Sequence, residues 1–588
     1  MTSGYDRFPT VRVPGHKVLL GYDALTRELE DRAEALRSTG AGRVVLTCET
    51  YPGVRDDEVL GALGSLCPSA LLDTRALFPE PSELTRRMAP FLTEDRVFGR
   101  MCFCELEEFM DADALAEARR RVAEASGLVV ISGFGAALVH PGDLLVYCDA
   151  TRWEIQLRYR AGMPNYCCDN AGEDVLRKIK RGYFVEWRLA DRRKADLLGR
   201  ADYVVDTVDE LSPRAVTGEA LADALDLAVR RPFRTVPYFD PGVWGGQWMR
   251  ERFGLPGDAP NYAWSFDGVP EENALALAFD NAVMRVPAMD LTLLRPLSLL
   301  GEGVYARYGA EFPIRFDLLD TMGGQNLSLQ VHPTTDYARR AFGMAYTQDE
   351  SYYVLDAEEG ASVYLGLREG VDAGEMMAAL EEANAGGAPF DATRYVNRFP
   401  AHAHDHFLIP AGTIHCSGAG TMVLEISATP YLFTFKLWDW GRVGLDGRPR
   451  PVHLGHGRQV IRWDRDTGWV RRNLVGRARE VDESCGAARV EVTGLHELEP
   501  LETRRYEIAP GQRALLDTRG TLSVLNLVGG SEVTVSSPTG AFPPLVIHYV
   551  ETFVVPASVG RFEVANASGG TAILMRAHVR GTEVGDGV

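Results

Sequence analysis

Asn326-Leu327-Ser328-Leu329-Gln330-Val331-His332-Pro333 is the stretch that decides how this chain is read. Side chains alternate faces along an extended strand, so Ser328, Gln330 and His332 share one side. Leu327, Leu329 and Val331 point the other way, into a core. An imidazole and an amide oxygen projecting from one strand face make half of a small metal site. Two other segments offer the rest. Gln348-Asp349-Glu350 leads into the strand-like run Ser351-Tyr352-Tyr353-Val354-Leu355, and Pro410-Ala411-Gly412-Thr413-Ile414-His415 is a tight turn that delivers a histidine. Two nitrogens and two oxygens suit a divalent transition metal, zinc before the others. Spacing alone fits satisfied core or surface residues equally well.

Further pieces stand around this centre in a fixed order. Val243-Trp244-Gly245-Gly246 and Phe253-Gly254-Leu255 precede it. Tyr352-Tyr353-Val354-Leu355-Asp356-Ala357, Ile409-Pro410-Ala411-Gly412-Thr413-Ile414-His415 and Trp438-Asp439-Trp440-Gly441-Arg442 follow. Together they resemble type I phosphomannose isomerase, a zinc-dependent enzyme with a cupin (jelly-roll) core. The resemblance runs over residues 236–465, and the short strands of 466–588 look like a second, supporting cupin roll.

The resemblance implies an activity: mannose 6-phosphate and fructose 6-phosphate interconvert by proton transfer between C2 and C1 through a cis-enediol. It implies one zinc per chain on Gln330, His332, Glu350 and His415, and Glu425 as the catalytic carboxylate. Ser328, Gln348 and Trp244 fall at positions expected to meet the sugar phosphate. Two departures stand out. Family members place an arginine near the enediolate, ten residues after the carboxylate; here the nearest cation is Lys436, eleven residues after Glu425. A one-residue offset flips a strand side chain to the other face unless a bulge absorbs it. Pro430 is a place for one, and Arg442 is the alternative source of charge. Many members also carry a lysine where this chain has Gln348, so one charged phosphate partner is lost. Three readings follow: a mannose-6-phosphate isomerase, a metal cupin acting on another phosphosugar, and a sugar-binding or regulatory protein without turnover.

Composition agrees with a globular chain of several domains, 46% apolar and 24% charged over 588 residues. No apolar run approaches the roughly 18 residues that span a bilayer, and the N-terminus lacks a signal-peptide core. Nine cysteines without paired spacing suit a reducing compartment, so a cytoplasmic location is expected. A net charge of -20 disfavours nucleic acid and anionic membranes as partners. A small sugar phosphate is not excluded, because a few local cations decide that; composition gives no oligomeric state. Lysine is scarce: five of 62 basic residues.

Residues 1–15 lack periodicity and read as a mobile lead-in. Over 16–230, helical spacing alternates with buried strands such as Arg43-Val44-Val45-Leu46-Thr47-Cys48, Gly127 to Gly133 and Asp143 to Asp149. That alternation predicts an open α/β sheet, ahead of an all-β double cupin carrying a helical insertion at Gly370 to Asn384. The layout resembles a nucleoside-kinase type P-loop domain without its loop. Cys48-Glu49-Thr50-Tyr51-Pro52-Gly53-Val54-Arg55-Asp56-Asp57 stands where a Gly-rich loop ending in lysine would hold phosphates. The basic run 170–200 reads as an anion patch or as a solvated helix face. Ala401-His402-Ala403-His404-Asp405-His406 is a weaker metal candidate, set on a different strand from His415.

Overall fold

The structure, a computed structural model, describes residues 4–429, 433–448, 450–483, 485–494 and 496–584. It combines helices with several β-sheets and divides into two compact units. The division differs from the sequence-based boundaries. One unit comprises 10–227 together with 274–294; the other comprises 1–9, 228–273 and 295–588. The strands Ala274–Ala278 and Val283–Pro287, expected within the isomerase-like part, form a sheet with Val11–Arg12 in the first unit. Nor is the whole of 1–15 a loose lead-in. Tyr5 is buried, stacks on Phe253 and donates to Asp267 within the second unit.

In the first unit five parallel strands run in the spatial order Ala70–Asp73, Gly127–Gly133, Arg43–Thr50, Leu144–Asp149, Tyr203–Asp206, followed by two antiparallel strands. Hydrophobic runs such as Val44, Val45 and Leu46 are buried because helices cover both faces of such a sheet. The central strand is the first of the five in sequence, which puts the topological switch at its carboxyl end. There Tyr51–Val54 form a tight turn, and the following helix opens with Asp56, Asp57 and Glu58. Glu49 accepts from the backbone N–H groups of Gly135 and Ala137 at 2.8 Å each and pairs with Arg193. A carboxylate of the chain itself fills that cluster of donors.

The basic run is neither an open patch nor a solvated face. Lys178, Lys180, Arg181 and Lys194 are all buried. Lys178 donates to three backbone carbonyls, Arg181 pairs with Glu186, and Lys194 lies 2.6 Å from Asp149 and 2.8 Å from Asp290. Lysines this deep require such partners, since an unpaired buried charge is strongly unfavourable.

The second unit contains two pairs of sheets. One pair has six strands, with Asp349–Ala357, Thr421–Ala428 and Arg315–Asp320 at its centre, and five strands, with His415–Ser417, Leu329–Val331 and Phe435–Trp438 adjacent. The other pair, six and four strands from 479–579, closes over an apolar core that includes Tyr506, Leu525, Phe553 and Phe562. The helix Ala373–Asn384 buries Met376, Met377 and Leu380, as its spacing suggests.

Candidate metal centre

The strand Leu329–Val331 is three residues long, pinned between two neighbours by opposite demands of its faces. Leu329 and Val331 are fully buried in the core. Gln330, on the other face, pairs across the ladder with His415 on one side and Lys436 on the other. Directly opposed residues project to the same face, so these three side chains stand together. From the facing sheet comes Glu350, fully buried, on the strand Asp349–Ala357.

His332 Nε2 lies 3.0 Å from Glu350 Oε2, and His415 Nε2 lies 2.8 Å from Glu350 Oε1. Ligand atoms of all three fall within 4.8 Å of one another. Each histidine makes its second ring contact to a backbone carbonyl: His332 Nδ1 to Phe433 O at 2.8 Å, His415 Nδ1 to Thr413 O at 2.9 Å. Donation from Nδ1 leaves both Nε2 lone pairs aimed at a carboxylate, an arrangement that a cation resolves and the bare groups do not. The Gln330 amide is placed with nitrogen 3.2 Å from His415 Nε2; rotating it by half a turn aims its oxygen at the same point. These residues fit a metal ion.

Gln348, expected to meet substrate, is committed to the protein. Its amide donates to Glu350 Oε2 at 2.8 Å and Glu425 Oε1 at 3.4 Å and accepts from Phe433 N–H. It therefore fixes two carboxylates. Glu425 is buried, and burial with the nearby charges of Glu350 and Asp317 raises its pKa well above the ordinary value.

Ser328 donates to Asp439 Oδ1 at 2.8 Å. Arg442 binds the same Asp439 at 2.6 Å and the Asn326 carbonyl at 2.7 Å, so its guanidinium belongs to the Ser328 end of the strand. Arg450, which the motif reading missed, reaches Asp439 at 2.9 Å as well. Trp244, expected to meet the sugar phosphate, is fully buried and edge-on to Trp264. Its motif is one of close approach, since a Cβ at Gly246 would meet Asp320 Oδ1 at 2.2 Å. His402 is exposed, His404 meets the Tyr353 hydroxyl, and His406 meets Ser351 Oγ on the sheet face opposite to Glu350. None of the three joins His332, Glu350 and His415.

The ladder beside Gln330 steps by one residue just after Lys436. Leu329 pairs with Trp438 but Gln330 with Lys436, so Leu437 is the additional residue of a bulge. Pro430 lies outside the described residues. The turn carrying His415 is held by Arg465, which donates to the carbonyls of Pro410 and Ala411 and to Thr413 Oγ1. Only the long gap between these residues in sequence hid that role.

A buried imidazole–carboxylate–imidazole group between two facing sheets defines a candidate metal-binding β protein. Comparisons carry this further. The chain is similar to the mannose-6-phosphate isomerase of Streptococcus mutans, 28% identical over 221 residues, 37% of this chain and 64% of that one. It is similar also to the Bacillus subtilis mannose-6-phosphate isomerase ManA, 25% identical over 227 residues, 38% and 66% of the two chains. The likeness thus makes part of the chain type I phosphomannose-isomerase-like, and it spans just under two thirds of the Streptococcus relative. The crystal structure of mannose 6-phosphate isomerase from Bacillus subtilis aligns at 19% identity with a TM-score of 0.47, covering 59% of this chain and 99% of that one. Residues 21–230 match a family described as a domain of unknown function, DUF8485. Among the described residues no helix is long and apolar enough to cross a membrane.

Proposed function

We propose that this chain is a metal-dependent aldose–ketose isomerase interconverting mannose 6-phosphate and fructose 6-phosphate, built on a double cupin. The observation that carries the reading is the convergence of two imidazole Nε2 atoms on the buried Glu350 carboxylate. Gln330, His332, Glu350 and His415 would hold one divalent ion, zinc by its fit to two nitrogens and two oxygens. Such an ion supplies stabilisation for the negative oxygen that develops in an enediol. Glu425 takes the proton from C2 and returns it to C1. Lys436, on the face of Gln330 and His415, offers a point charge toward the same region, holding one oxygen where a guanidinium would hold two.

Ser328, with the guanidinium groups of Arg442 and Arg450 around Asp439, is the end of the site suited to the phosphate. A strand advances about 3.3 Å per residue, so Ser328 stands one like-facing step from Gln330. That spacing suits a substrate with its carbonyl and its phosphate at opposite ends. The engagement of Gln348 with two carboxylates favours, as a second reading, a metal cupin for another phosphosugar. A coupled assay over a panel of sugar phosphates, with and without chelator, decides between them. Chelator-sensitive turnover of mannose 6-phosphate supports the first; turnover of a different phosphosugar supports the second; no turnover of any leaves a binding protein. The domain of 16–230 is read as a kinase-like sheet without nucleotide chemistry, and 466–588 as a roll supporting the first.

A further inference from the structure

The turn 410–413 does more than deliver His415. The backbone N–H of Ala411 donates to Asp349 Oδ1 at 2.8 Å, and that of Gly412 donates to the His332 carbonyl at 2.9 Å. Thr413 O meets His415 Nδ1 at 2.9 Å. One short turn is thereby hydrogen-bonded to His332, to the neighbour of Glu350 and to His415. The relative placement of both imidazoles and the carboxylate runs through it.

A second segment, 460–465, closes around this turn. Gly412 has a φ of 89°, a left-handed conformation that glycine adopts without steric cost. A Cβ there would meet Arg462 Cγ at 2.5 Å and Val460 O at 2.9 Å. The Arg462 backbone N–H donates to Gly412 O at 2.9 Å. Arg465 is buried and directs one nitrogen, Nη1, to Pro410 O at 2.7 Å, to Ala411 O at 2.9 Å and to Thr413 Oγ1. Its guanidinium carbon lies 5.1 Å from the centre of the Trp469 ring. A guanidinium this deep is stable only where acceptors and an aromatic face meet it, so its position is fixed.

We propose that Arg465 is a positioning residue of the metal centre, setting the affinity for the ion by holding 410–413 in place. This rests on the metal-binding reading and extends it to a side chain whose hydrogen bonds go to the turn and to none of Gln330, His332, Glu350 and His415. Without the guanidinium, Ala411 O and Thr413 Oγ1 each lose a donor, and the constraints on His332 and His415 loosen together. Ion binding must then supply the ordering that Arg465 supplies in advance. Residues that orient metal ligands from outside typically change affinity about 10- to 100-fold when replaced.

The test uses the full-length protein, stripped of metal and titrated with zinc against a chromophoric chelator, and with cobalt(II) by visible absorption. Arg465→Met should weaken zinc binding about 10- to 100-fold and alter the cobalt absorption, which reports ligand geometry. Arg465→Lys should recover much of the affinity, because an ammonium carries three N–H donors for the three acceptors. Thr413→Val removes one acceptor and should cost less than Arg465→Met. Arg462→Met should bind as the wild type does, since its side chain is about half exposed and its backbone N–H to Gly412 remains. Wild-type affinity in a folded Arg465→Met overturns the proposal; where that variant does not fold, wild-type affinity in Thr413→Val does so. An equal loss in Arg462→Met, or no recovery in Arg465→Lys, overturns it too. Each of these outcomes leaves the metal-binding reading standing. A wild type that takes up neither ion contradicts that reading itself, and the role of Arg465 falls with it.

Discussion

Gln330 and Lys436 lie opposite each other on adjacent antiparallel strands, with Leu437 set out of register between Lys436 and Trp438. Had the strand run regularly from Trp438, Leu437 would stand opposite Gln330 and Lys436 would face the other side. The bulge therefore decides whether a cation stands over the metal-binding face. Removing a charge preorganised toward a developing oxyanion costs about 2–4 kcal/mol of transition-state stabilisation. Lys436→Met should lower turnover tens- to hundreds-fold at unchanged metal content, measured by steady-state kinetics and elemental analysis. Near-normal turnover would return the role to Arg442.

Arg442 and Arg450 both hold Asp439 beside Ser328. Arg450→Met should therefore raise the KM for a sugar phosphate several-fold with a smaller effect on kcat, because it removes a phosphate-end charge present in ground and transition states alike. A fall in kcat with unchanged KM would place Arg450 at the reacting end instead.

In the first unit, Glu49 already occupies the donors of Gly135, Ala137 and Arg193. Together with Asp56 and Asp57 it opposes a triphosphate at the carboxyl end of the central strand. Calorimetric titration of the protein with Mg-ATP at physiological salt should give no binding in the micromolar range. Micromolar binding lost in a variant of this unit would restore a kinase-like role.

Lys194 separates Asp149 from Asp290, all three buried. Lys194→Met leaves the buried Asp149–Asp290 pair without its cation and should cost about 3–5 kcal/mol near neutral pH. The sign with pH follows from Asp290, pushed up to about 8 by burial from an ordinary 3.8 despite Lys194. A group whose folded pKa is the higher one binds more protons folded than unfolded, so its contribution falls as pH rises from about 4 to 8. Without the Lys194 cation the folded Asp149–Asp290 pair holds protons more tightly still, so the variant takes up protons on folding that the wild type does not, and its deficit should narrow between pH 8 and pH 5 in denaturant titrations. A deficit that widens toward pH 5 would contradict it.

Strand alternation made Gln330 and His332 legible as one face, and turn chemistry made His415 legible as a delivered residue. Both are local properties, which periodicity reports. The bulge at Leu437 was not legible, because a backbone register is settled by the partner strand. The basic run 170–200 misled because charge counts do not show where side chains go. Lys178 and Lys194 are buried by partners distant in sequence. The return of 274–294 to the first unit is likewise a long-range event, invisible to any window of local pattern.

Elemental analysis of the purified protein tests the account at its centre. Wild type should carry one zinc-like ion per chain, and His332→Ala and His415→Ala should each lose it while remaining folded. Unchanged metal content in both variants, or a folded wild type that takes up no divalent ion, would contradict the assignment of Gln330, His332, Glu350 and His415.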